Sequence, residues 1–204
     1  MSLILDGVSL LTWVADHYLC NPEALRDNAR WVSVGYYTAT VWMAALIAHR
    51  LCRGGPADGD PATTGIIAAL LMAINVVHIR QSPLAGTDAP QAFWFALATW
   101  AALRLLDHSR VRDYLAAGIA EGVCGATKYP GAAVGAAVIA RHLLSRRSMQ
   151  DRMIWISGAV AIGTFLCLSP YTLLDLSAFT QQFSFQIEHV AAGRGGCNQV
   201  RSSI

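Results

Sequence analysis

Charge is scarce in this sequence. Only 14% of its 204 residues are Asp, Glu, Lys or Arg, whereas soluble globular domains carry about 25%. The shortage is spread along the chain, because apolar runs recur from Trp31 to the neighbourhood of Tyr171. With 54% hydrophobic residues and a mean hydropathy of +0.41, too few polar side chains remain to cover a water-facing surface. These features describe an all-α polytopic membrane protein. An alanine-rich soluble helical bundle is the competing reading.

Other absences narrow the function. The net charge is only +2, and no basic cluster is interleaved with aromatics, which argues against a nucleic-acid partner. Five cysteines (Cys20, Cys52, Cys124, Cys167, Cys197) lack CxxC or Cys/His ligand spacing, so neither a disulfide framework nor a zinc site is indicated. Cys124 and Cys167 fall in apolar runs and read as small packing residues. The start, Met1 to Asp6, has no basic segment leading into a long apolar one and does not match a signal peptide. No internal repeat of the kind that marks secondary transporters is visible.

What is present is a series of apolar runs punctuated by helix breakers. The first, residues 31–49, would extend about 28 Å as a helix, close to the hydrocarbon thickness of about 30 Å. A polar turn at 54–61 separates it from a second run over 62–77, and a third covers 90–105. Between the second and third lies a polar interruption broken by Pro83, Gly86 and Pro90. It places Arg80 and Asp88 where two apolar helices end, at a bilayer edge and within reach of a charged headgroup. The stretch 114–144 is split by Lys128-Tyr129-Pro130-Gly131. Neither half, 114–127 or 131–144, comfortably spans a bilayer alone, so the pattern predicts a broken helical hairpin with Lys128 at its apex. A last crossing over 153–168 ends at Ser169-Pro170.

The expected architecture is therefore about four full transmembrane helices plus that hairpin. Residues 1–30 form an extracytoplasmic juxtamembrane segment, with an interfacial helix over 9–18 and a second helix starting at Asn21-Pro22-Glu23. Residues 31–170 are the transmembrane domain, and 171–204 an extracytoplasmic tail too polar to span. Basic residues set the orientation. Arg50, Arg53, Arg104, Arg110, Arg112, Arg141, Arg146, Arg147 and Arg152 fall on one side, and only Arg80 and Lys128 on the other. That split puts Arg80, Asp88, Lys128 and the tail outside the cytoplasm. It also calls for a membrane span before Trp31.

Four pieces of the chain together resemble one family. Asn21-Pro22-Glu23-Ala24-Leu25 leading to Arg30, the turn 82–90 with its Thr87-Asp88 pair, and the glycine-punctuated segment from Tyr114 to Thr127-Lys128-Tyr129-Pro130 carry three of them. Ser169-Pro170-Tyr171 with Asp175, Phe179, Phe185-Gln186 and His189 carries the fourth. The chain resembles the GT-C membrane glycosyltransferases, in the protein mannosyltransferase and aminoarabinose transferase branch (glycosyltransferase family 39-like). The resemblance implies transfer of a sugar from a polyprenyl-phosphate donor to a protein, lipid or glycan acceptor. It implies an inverting displacement at the outer face of the cytoplasmic membrane, with a divalent metal ion as an optional cofactor. In that family an acidic residue in the first external loop serves as base or orients the acceptor. Asp6 and Asp16 do not match its context, so the role is not carried over. The chain is accordingly expected to be an internal fragment of a longer enzyme.

Each candidate side chain has a functional and a structural reading. Asp88 is the catalytic candidate, contacting acceptor, metal or donor; as a carboxylate starting a helix it would contribute about 1 kcal/mol. Lys128 fits the donor phosphate, whose leaving charge a fixed cation stabilises; it also fits a side chain snorkelling to the interface. Arg80 is a second phosphate ligand or an ordinary interfacial arginine. Tyr129 is a sugar or phosphate contact or interfacial packing. His189, with Glu188, is a substrate ligand or a solvated residue. Glu121, costly within a membrane, pairs internally or lines a polar cavity. Asn75 and His78 read as interhelical hydrogen-bonding residues. A transporter or flippase module, and a nonenzymatic membrane assembly subunit, are the alternatives to the enzyme.

Overall fold

A computed structural model describes residues 22–54, 59–108, 110–144 and 151–191. The described residues are helical throughout, with no strand among them. The expected interfacial helix over 9–18, the carboxylates Asp6 and Asp16, Asn21, Arg146, Arg147, and the tail beyond 191 lie outside the described residues.

Helix α1, Pro22–Gly54, is the longest. Pro22 at its start suits the first turn, Glu23 complements the positive end of the helix dipole, and Arg53 the negative end. It begins nine residues before the apolar run at Trp31, because nothing between Pro22 and Trp31 breaks a helix. Its stretch Leu25–Gly54 is long and apolar enough to cross a membrane. Among the described residues it is the one helix that meets that standard; α2, Pro61–Ala73, and α7, Arg152–Leu168, are apolar but shorter.

The second apolar run is not one helix. It breaks at Ile74-Asn75, and the short helix α3, Val76–Gln81, follows. Asn75 explains the break: its side-chain oxygen accepts the His78 backbone N–H at 3.1 Å, capping α3. Asn75 thus works within its own turn and not between helices, as expected from sequence. His78 does bridge helices, its Nε2 lying 3.1 Å from the Tyr37 carbonyl of α1.

Helix α4, Asp88–His108, runs antiparallel to α5, Val111–Thr127. The pairing is fixed at both ends, by Lys128 against Asp88 and by Arg104 against Asp113. After α5 a 3-10 turn, Tyr129–Val134, leads into α6, Gly135–Leu144. The chain reverses here. Tyr114 Oη and His142 Nδ1, from the start of α5 and the end of α6, sit 2.7 Å apart. Helix α7 packs parallel to α5 along Gly118 and Gly122. A Cβ on either glycine would collide with the carbonyl of Ser157 or Ala161, the close approach that small residues four apart permit. Beyond Pro170 come the short helix α8, Tyr171–Leu174, and α9, Leu176–Ala191.

Large apolar side chains face outward, including Trp31, Trp42, Ile66, Leu70, Trp155 and Ile162. The interior instead holds alanines (Ala98, Ala101, Ala102, Ala117, Ala120) with Tyr114 and the fully buried His142. A water-soluble bundle would bury the former set. Lipid as solvent removes that drive and leaves close backbone packing to join the helices.

Candidate active site

The two ends of the bundle differ. One gathers the α3–α4 connection, the Lys128 turn and the α7–α8 junction; the other carries Arg104, Arg110, Arg112, Arg141 and Arg152. Asp88 is the first residue of α4, and Lys128 ends α5 in extended conformation, φ −161° and ψ 128°. That extended cap turns Lys128 away from its helix axis, toward α4. Its Nζ donates to Asp88 Oδ1 at 2.7 Å, with 42% of the lysine and 55% of the aspartate side chain exposed. So accessible a pair contributes about 0–1 kcal/mol to stability. It is easily exchanged for a stronger anion.

Asp88 also reaches a cavity of about 430 Å³ between α1, α2 and α4, whose lining includes Thr40, Met72, Gln91 and Phe95. Arg80, exposed at the end of α3, makes no contact with Asp88 or Lys128 among the described interactions. Tyr129 turns away from the pair. Its ring meets Phe179 edge-on at 5.3 Å and Phe183 at 6.1 Å, and faces Phe165 at 6.5 Å. Those rings and Glu121 line a second cavity of about 260 Å³. His189 falls on α9, but its side chain lies outside the described residues, and Glu188 is exposed.

Of the five candidates, the structure joins Asp88 to Lys128 and sets Tyr129 beside them in the chain but in a different cavity. No three of His, Cys, Asp and Glu converge among the described residues, so they supply no donor set for a divalent ion. Two polar pairs escaped sequence reasoning. Arg104 Nη2 lies 3.3 Å from Oδ1 of the buried Asp113, with its guanidinium 4.9 Å over the Trp100 ring. Tyr114–His142 is the other. Both join residues on different helices, and no local spacing signals either.

Residues 26–172 match the model of the dolichyl-phosphate-mannose-protein mannosyltransferase family. The chain belongs to that family. The match covers α1 to the start of α8 and takes in Arg80, Asp88, Glu121, Lys128 and Tyr129, leaving His189 beyond it. No curated protein and no solved structure matches the chain. The dolichyl-phosphate-mannose-protein mannosyltransferase family is one of membrane glycosyltransferases, and glycosyltransferase activity is its general property. The outward-facing apolar belt and the α1 span accord with a membrane protein.

Proposed function

We propose that this protein is a multi-pass glycosyltransferase of the cytoplasmic membrane that moves a sugar from a polyprenyl-phosphate donor to an acceptor at the outer face. The contact between Lys128 and Asp88, 2.7 Å across a solvent-facing rim, carries the reading. Residues 31–170 form the membrane domain in this proposal, with α2 and α3 crossing together around the Asn75 break. Residues 1–30 and 171–204 lie outside, with Arg80, Asp88, Lys128 and Tyr129. The nine arginines of the opposite set face the cytoplasm.

In the reaction, an acceptor oxygen attacks the anomeric carbon from the face opposite the phosphate. The bond from that carbon to the phosphate oxygen breaks, and its electron pair stays on the leaving phosphate. Lys128 holds that growing charge. The arriving phosphate carries more negative charge than one carboxylate and takes Asp88's place on the ammonium. Asp88 is then released to receive the acceptor's proton. Arg80 supports the phosphate from the end of α3, and Tyr129 and His189 contact the substrate from the outer side.

The test is transfer in membranes carrying the protein. Asp88→Asn and Lys128→Ala each lower transfer from a polyprenyl-phosphate sugar while membrane insertion is unchanged. Undiminished transfer by both variants would remove the site assignment. Cysteines placed at Thr87 and Arg146 check the orientation: only the first should react with an impermeant label added from outside.

A further inference from the structure

Glu121 is a carboxylate placed where a carboxylate is expensive. It sits in the last third of α5, about 10 Å along the axis from Lys128 at 1.5 Å per residue, and is only partly exposed. None of the described ion pairs involves it. Gly135 faces it so closely that a Cβ there would collide with Oε1, so the fold reserves room for this side chain. Two cavities share it. One, of about 230 Å³, also reaches Ser157, which is 1% exposed and whose Oγ has no hydrogen-bond partner. The other, of about 260 Å³, is walled by Tyr129, Phe165, Phe179 and Phe183.

A lone carboxylate within a membrane domain needs a cation or is strongly disfavoured. Aromatic faces carry partial negative charge and attract cations in the same way. A neutral polyol would stack on the rings yet leave the carboxylate's charge unbalanced. We propose that the slot between Glu121 and the rings of Tyr129, Phe165, Phe179 and Phe183 binds an ammonium group. The ammonium sits against the aromatic faces with its N–H groups on the Glu121 carboxylate. It belongs either to an amino sugar or to an ethanolamine lipid headgroup. The inference adds a substrate class to the proposed glycosyl transfer and rests on that reading for its role in the reaction, though not for binding.

Two binding measurements on the full chain test it, neither of which requires transfer. In phosphatidylglycerol nanodiscs doped with phosphatidylethanolamine, native mass spectrometry counts which lipid is retained. In detergent, thermal melting is followed with glucosamine or glucose as the soluble probe. Preferential retention of phosphatidylethanolamine assigns a lipid headgroup; stabilisation by glucosamine beyond that by glucose assigns an amino sugar. In either case Glu121→Gln should weaken the preference about tenfold, and Phe179→Leu, from the ring wall, about two- to fivefold. Should Glu121→Gln fail to fold, Phe179→Leu and Phe183→Leu decide. No ammonium preference in either measurement, or one that survives these substitutions, overturns the inference. A protein that transfers sugar but shows no such preference loses only this inference, and one that prefers ammonium but transfers nothing loses only the reaction.

Discussion

Lys128 and Asp88 are 40 residues apart in the chain and in contact at 2.7 Å. The contact depends on the chain reversing after α5 and on α4 running antiparallel to it. It gives Asp88 two successive partners in the proposed reaction, the lysine at rest and the acceptor once phosphate has arrived.

That succession predicts opposite effects on binding and turnover. Asp88→Asn removes the competitor for Lys128, so the donor KM should fall by about two- to fivefold, the value of an exposed ion pair. The same variant loses the proton acceptor, and kcat should fall by about 100-fold or more. Lys128→Ala should instead raise donor KM and lower kcat together. Initial-rate measurements over a range of donor concentrations separate these patterns. A rise in donor KM for Asp88→Asn would contradict the exchange.

Much of the architecture was legible because helix breakers and apolar runs are local. Pro130 and Gly131 marked the reversal, and Pro170 the end of α7. The Asn75 break was not, since one asparagine in an apolar run reads equally well as an interhelical polar residue until its cap geometry is known. At the site, residue identity was visible and proximity was not. Asp88 and Lys128 each stood out as a charge at a helix end, but their contact follows from helix packing. Glu121 stood out for its cost, while the rings that accompany it come from α7 and α9. Arg104–Asp113 left no local trace, because a charged residue near a helix end is ordinary.

The glycine seam between α5 and α7 makes a sharper stability test than any single apolar contact. Gly122→Ala places a methyl group against the Ala161 carbonyl and Thr164, an overpacking that costs about 1–3 kcal/mol. Gly158→Ala meets nothing within 4 Å and should leave stability unchanged or raised slightly through its helix propensity. Thermal melting in one detergent compares the two. Equal loss in both would mean that the seam does not set the helix spacing.

Asp60 supplies a pH dependence. Its carboxylate accepts hydrogen bonds from the backbone N–H and hydroxyl of Thr63, which hold its carboxyl below the ordinary aspartate range. A depressed value in the folded state adds stability above the unfolded pKa and loses it as pH falls through the folded one. Wild-type melting temperature should therefore decline on acidification below about pH 4, and Asp60→Ala should flatten that part of the curve. An unchanged acid limb in Asp60→Ala would assign the decline to other carboxylates.

The other end of the bundle predicts the largest single loss. Asp113 is 5% exposed, and one of its oxygens has no hydrogen-bond partner while the other faces Arg104. The guanidinium is further held over Trp100. Arg104→Ala leaves a buried carboxylate with its charge uncompensated, a change that costs about 3–5 kcal/mol. Arg104→Ala with Asp113→Asn removes the charge as well, and should recover a large share of that loss. Arg104→Lys keeps the charge but not the planar stacking on Trp100, and should fall between wild type and Arg104→Ala. The order wild type, Arg104→Lys, double variant, Arg104→Ala in denaturant midpoint would support a buried pair whose cost is chiefly that of the orphaned aspartate. A double variant no more stable than Arg104→Ala alone would show that lost packing on Trp100, and not charge, dominates at this end.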